Sequence, residues 1–211
     1  MIKVTRLTEQ ANYMENMQAQ TEYTDIESVA AYLGIDAPAG SSEEAEEIAG
    51  YIRAMSATMD NMSGRRLYGD EETTNTYDGE KGEILHVKDV CAISEVLLDG
   101  ADVTEAIYKY PQNKAYASRL VLPGKSWGTK RQSVEVTGIH AMHDELPEDI
   151  KLACTIFVAG VYRNAHPDPD FKGEVTSEKM GNYTVSYASA KQVGDAANAK
   201  ALLSSYKRIS L

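Results

Sequence analysis

The chain has 211 residues, 43% hydrophobic and 25% charged, a balance that suits one or two soluble domains with a real core. Lys and Arg total 21 against 32 Asp and Glu, for a net charge of -11, which excludes a broad phosphate-gripping surface of the kind nucleic-acid binders need. The most apolar stretch is too short for a bilayer, which takes roughly 20 apolar residues, so no membrane partner is expected.

Residues 1–23 are polar and rich in Met and Gln. The opening MIKVTRLTEQ has no apolar core of the kind a signal peptide needs, so none is expected. Thr24-Asp25-Ile26-Glu27 predicts a helix start, with Thr24 as the cap and Val29, Ala30, Tyr32 and Leu33 behind it. Gly34 ends that helix. Ser41 and Glu44 have capping-box spacing, and a second helix runs to about Met62 with Ile48, Ile52, Met55 and Met59 at helical intervals.

From about Asp70 the apolar period becomes alternating. Thr74–Tyr77, Glu83–Val87, Ile93–Leu98, Val103–Tyr110, Ser118–Leu122 and Ser133–Gly138 read as six strands. Asp99-Gly100 is the strongest hairpin signal among them.

Leu146–Asn164 then predicts a helix that opens with Pro147, Glu148 and Asp149 and carries no charge from Leu152 to Tyr162. Ile150, Ala153, Cys154, Phe157, Val158 and Val161 form one apolar stripe, and Leu152, Ile156 and Ala159 lie off it. A surface helix buries one stripe, so this one needs cover on several sides, from its own chain or from a neighbouring subunit. Residues 165–173 read as an exposed loop and Glu174–Tyr187 as a turn followed by a strand. A last helix spans about Ser189 to Tyr206, and Lys207-Arg208-Ile209-Ser210-Leu211 is a short basic and apolar tail. The fold class that follows is α+β. About four helices from the N- and C-terminal segments form a bundle into which an antiparallel β unit is inserted, with parts at 1–69, 70–142 and 143–211.

No residue pattern carries catalysis. His140 and His143 have i, i+3 spacing in a loop far from both cysteines, and read as solvated histidines, not a metal site. Asp168-Pro-Asp170-Phe-Lys172-Gly173 starts like a calcium loop but places lysine at Lys172 and Lys179, where oxygen ligands belong. The acidic clusters Asp70-Glu71-Glu72, Asp144-Glu145 and Glu148-Asp149 read as solvated faces or a helix start. Cys91 and Cys154 sit in apolar contexts that suit reduced, unreactive thiols. Two N-terminal helices joined by a glycine-containing turn suggest helix-turn-helix, but Glu43, Glu44, Glu46 and Glu47 would face the phosphates. No cofactor is expected.

Val134-Glu-Val-Thr-Gly-Ile-His140, a short loop and Leu146-Pro-Glu-Asp-Ile-Lys-Leu-Ala153 resemble the head–tail connector proteins of tailed bacteriophages, also called adaptors or head-completion proteins. The helix pair from Thr24 to Arg65 and the segment Ser177-Glu-Lys-Met-Gly-Asn-Tyr-Thr-Val-Ser-Tyr187 are similar as well. The resemblance implies a structural virion protein with no enzymatic activity. It implies a ring, commonly of twelve subunits, docked under the portal, with a stopper or tail-completion protein on the far side and DNA passing through without specific binding. It further implies that the C-terminal segment Tyr206, Lys207, Arg208, Ile209, Ser210 and Leu211 reaches the portal, and that the protein resides in the virion after assembly in the host cytoplasm. The competing readings are a nucleic-acid-binding regulator using the N-terminal helices and an acid-based hydrolase in the β unit.

Overall fold

The computed structural model describes residues 21–167, 176–187, 197, 199–201 and 203–207. The chain is α+β. Helix α1 spans Ile26–Leu33, and its cap is Asp25, whose Oδ1 accepts from Ser28 N at 2.7 Å. The expected cap, Thr24, is one residue too early. Its hydroxyl lies 2.6 Å from that of Thr155, and a buried side chain committed to another helix is not free to cap its own. Gly34, at φ 77, closes α1 by donating back to Ala30 and Ala31. Helix α2 spans Glu43–Ser63 and is capped by Ser42 on Ala45 N, so the expected Ser41–Glu44 box is displaced by one position. Helix α3 spans Glu148–Ala165, with Pro147 at its cap at φ -65 and not within its first turn.

These helices share one apolar core with Tyr23, Leu67, Ala199 and Leu203. α3 packs against both α1 and α2. It also packs against a hairpin of β8 (Thr176–Met180) and β9 (Tyr183–Tyr187), whose second strand lies along it. A strand therefore replaces the turn expected after Glu174: Gly181, at φ 57, lets the chain reverse directly between Met180 and Tyr183. Residues 197, 199–201 and 203–206 are helical. The expected loop at 165–173, the start of the last helix and the Asp168–Gly173 stretch lie wholly or largely outside the described residues.

The β part holds β1 (Thr73–Tyr77), β2 (Ile84–Val90), β3 (Ala92–Leu98), β4 (Ala101–Asp102), β5 (Tyr108–Tyr110), β6 (Ala117–Val121) and β7 (Val134–Ile139). They form two antiparallel sheets, ordered β1-β7-β3-β4 and β2-β6-β5. Leu85, Val87, Ala117 and Leu120 of one sheet and Val96, Val134 and Val136 of the other close a second core, with Trp127 fully buried in it. The indole Nε1 donates to Glu83 O at 2.8 Å, which satisfies its one polar atom. Asp99 (φ 51) and Gly100 (φ 79) make the tight turn between β3 and β4, as an Asp-Gly pair with two positive φ angles should.

The strand expected over Val103–Tyr110 is broken in two. Thr104 Oγ1 accepts from Val96 N, and Asp102 Oδ1 accepts from both Thr104 N and Thr104 Oγ1. These local bonds compete with a ladder and turn Thr104–Ala106 into a 3-10 turn. β4 consequently stays beside β3 while β5 joins β6 in the other sheet.

The chain leaves the helices and returns to them side by side. Met142 N donates to Arg66 O at 3.0 Å and Gly69 N to His143 O at 3.1 Å, with Tyr68 and His143 bridged in parallel. His140 lies in this return segment and is 8% exposed, so it is not a solvated loop residue: its Nε2 donates to Val136 O at 3.1 Å. His143 is half-buried. No helix among the described residues is long and apolar enough to cross a membrane.

Candidate functional site

The apolar stripe of α3 is the centre of the helical core. Ile150, Ala153, Cys154, Phe157, Val158 and Val161 are all buried, and Thr155, Ile156, Ala159 and Gly160 are buried with them. At roughly 25 cal/mol per Å² of apolar surface, side chains such as Phe157 and Ile150 each contribute about 1.5–3 kcal/mol. Thr155, polar and in the middle of this run, is accommodated because it donates to Lys151 O and meets Thr24. Cys154 faces Ser56 at 3.8 Å, and burial pushes its thiol up to about 12. Burial raises the Cys91 thiol as well, so neither is poised as a nucleophile.

Polar ties hold both ends of α3. At the first turn, Lys151 pairs with the Asp25 cap of α1 at 2.7 Å. At the last, Tyr162 donates to Glu44 Oε1 at 2.6 Å and His166 lies 2.9 Å from Glu47 Oε2. Two of the four acids at the start of α2 thus serve as acceptors for α3 in addition to facing the helix dipole. The clusters Asp70-Glu71-Glu72 and Asp144-Glu145 are exposed.

The first turn of α3 also anchors the end of the last helix. Ala199 and Leu203 enter the helical core, and Tyr206 donates its hydroxyl to Asp149 Oδ2 at 2.8 Å. Its ring stands edge-on to His143, with centroids 6.0 Å apart. Burial and the Asp149 carboxylate push the Tyr206 hydroxyl up to about 12. Lys207, next in the chain, is exposed, and Arg208, Ile209, Ser210 and Leu211 lie outside the described residues. The Asp149 contact was not legible in the sequence. An acid in a first helical turn reads as dipole compensation, and a lone tyrosine at a helix end has no periodic signal.

Apolar surface remains open on the β part. Ile84 pairs with Val121, which pairs with Tyr108, so the three form one row across the smaller sheet; Tyr108 and Ile84 are exposed. Tyr110 continues this face, with the Arg119 guanidinium 5.5 Å from its ring centroid. Leu152 of α3 is also exposed, at 51%.

No protein-family model matches this chain, and no curated protein matches it by sequence. Solved structures similar in fold include two from gene transfer agent particles. A chain described as from the neck of an empty gene transfer agent particle, computed with C6 symmetry, aligns with a TM-score of 0.55 at 13% identity, covering 90% of this chain and 96% of that one. A chain from the virion of the native gene transfer agent particle aligns with a TM-score of 0.53 at 14% identity, with the same coverage. At such identity the likeness is one of fold.

Proposed function

We propose that this chain is a structural protein of the neck of a phage-like particle, a connector subunit that joins the head to the tail. The observation that carries this reading is the fold likeness to a chain of a gene transfer agent neck over 90% of this chain, which spans both the helical and the β parts. It agrees with the connector-like order of motifs from Thr24 to Tyr187. On this reading the helices of 1–69 and 143–211 form one bundle with the β unit 70–142 inserted, and copies assemble into a ring of twelve around a DNA channel. The paired crossings at Arg66–Gly69 and Met142–His143 support the insertion. The net charge of -11 supports passage of DNA without capture, because bound phosphate would need Lys and Arg to hold it. The exposed row of Ile84 and Tyr108 and the exposed Leu152 are surfaces a neighbouring subunit would cover.

The portal is the partner on one side and a stopper or tail-completion protein the partner on the other. The segment from Tyr206 to Leu211 is the portal-docking arm, with Tyr206 as its fixed root and Lys207, Arg208, Ile209, Ser210 and Leu211 as the part that reaches out. The protein acts in the virion, is assembled in the host cytoplasm, and performs no catalysis. Cosedimentation with the portal of the same particle tests this. The full chain is expected to pellet with portal, and a chain ending at Lys207 is expected not to. Normal binding by that truncation would remove the docking role of the arm, and electron micrographs of the complex without a ring would remove the connector reading.

A further inference from the structure

Charge is unevenly spread along this chain. From Ala106 to Ser133 the sequence carries six Lys and Arg and no carboxylate, although the whole chain has a net charge of -11. From Thr21 to Ile52 it carries eight Asp and Glu and no Lys or Arg. The first segment forms β5, β6 and the connection to β7 in the β part, and the second forms α1 and the start of α2 in the helical part. No ion pair joins the two segments among the described residues.

The basic segment is also where the smaller sheet is open. On its outer face the row Ile84–Val121–Tyr108 lies beside the row His86–Arg119–Tyr110, while Leu85 and Leu120 between them enter the core. His86 is already paired with Glu80. Arg119 lies against the Tyr110 ring, and Lys125, just past the end of β6, is exposed; neither has an ion-pair partner among the described residues. Exposed Ile84, Tyr108 and Tyr110 beside a free guanidinium have the make-up of a protein interface, in which aromatic residues and Arg are enriched.

The acidic segment offers the counterpart. The loop from Gly34 to Ser42 joins α1 to α2 and exposes Ile35 beside Asp36, and Glu43 and Glu46 are exposed in the first turn of α2. Asp25, Glu44 and Glu47 are committed to the α3 segment, but Asp36, Glu43 and Glu46 have no ion-pair partner among the described residues. We infer that the outer face of β2-β6-β5 in one copy of this chain receives the α1–α2 loop and the start of α2 of a second copy. Carboxylates would meet Arg119 and Lys125, and Ile35 would meet the Ile84–Tyr108 row. A second copy is favoured over a nucleic-acid strand because it brings an apolar side chain to that row as well as negative charge. Two different surfaces meet, so every copy keeps one of each for the next neighbour, which is how a head-to-tail ring is built. The inference rests on the connector reading and adds to it which surfaces of adjacent subunits touch.

Sedimentation velocity of the full chain in about 50 mM and about 500 mM NaCl tests this, since salt screens exposed charges. Oligomers are expected at low salt and should dissociate at high salt. A face variant, Arg119→Gln with Lys125→Gln, and a loop variant, Glu43→Lys with Glu46→Lys, should each weaken association at least about tenfold while keeping a cooperative melting transition. Mixed together, the two should form dimers and nothing larger, because only the acidic surface of the face variant and the basic face of the loop variant remain matched. The inference is overturned if the wild type stays monomeric up to about 1 mM, if either variant assembles as the wild type does, or if the mixture stays monomeric. It is also overturned if the Arg119 face holds a single-stranded oligonucleotide on a chain that stays monomeric. Cosedimentation with portal separates this from the connector reading. A monomeric chain that still pellets with portal loses the contact and keeps the reading, and assembly through these surfaces without portal binding does the reverse.

Discussion

Tyr23 donates its hydroxyl to Asp60 Oδ1 at 2.6 Å, and the two oxygens together receive the backbone N–H of Leu67, at 3.1 and 3.0 Å. Tyr23 precedes α1, Asp60 lies in the last turn of α2, and Leu67 begins the crossing to the β part. One buried cluster therefore ties the entry to the helices to their exit. Tyr23→Phe leaves Asp60 short of a donor in a place where burial already raises its pKa. The expected cost is about 1–3 kcal/mol in urea unfolding. An unchanged midpoint would show that the cluster contributes no net stability.

The Tyr206–Asp149 bond makes the last helix sensitive to alkali. Tyr206 titrates at about 12 in the fold against 10.0 when unperturbed, raised by burial first and then by Asp149. Folding favours its protonated form, so the stabilisation is complete below pH 10 and is lost as pH rises towards about 12. Hydrogen exchange in the last helix should accelerate across that window. In Tyr206→Phe the exchange should already be faster at neutral pH and this step should vanish. If it persists, another group controls the release.

Gly138 and Gly50 should respond to alanine in opposite directions. A Cβ on Gly138 would lie 2.1 Å from Ala92 O, where the register of β3 on β7 shifts between Ile93 and Glu95. Backbone cannot yield there as a flexible side chain would, so Gly138→Ala should cost about 3 kcal/mol or more, seen as a lower melting temperature or loss of soluble protein. Gly50 sits within α2 with no atom within 4 Å of the added Cβ, and Gly50→Ala should stabilise by roughly 0.5–1 kcal/mol.

Phe157 is fully buried at the centre of the helical core. Phe157→Ala should cost about 3–5 kcal/mol, and Phe157→Asp should abolish folding, read by circular dichroism. In the wild type, Cys154 should resist thiol reagents until unfolding exposes it, because its thiol is both buried and held near 12. Rapid labelling of Cys154 in the native protein would mean that α3 opens locally.

Much of the chain was determined by its sequence alone. The three main helices follow from apolar spacing with Gly34 and Gly64 as stops, and the Asp99-Gly100 turn follows from the φ angles its two residues tolerate. These are properties of neighbouring residues and are set before any partner arrives. The tertiary structure decided what each polar group would bond to. Thr155 drew Thr24 from its expected cap, Val96 N and Asp102 held Thr104 in a turn and divided one expected strand between two sheets, and the crossing segments buried His140. Tyr206 and Asp149 lie 57 positions apart, and a hydrogen bond over that separation leaves no local pattern to read. The α3 stripe announced that it needed cover; only the fold supplied α1, α2, β9 and the last helix as that cover, because which surfaces meet depends on how the whole chain closes.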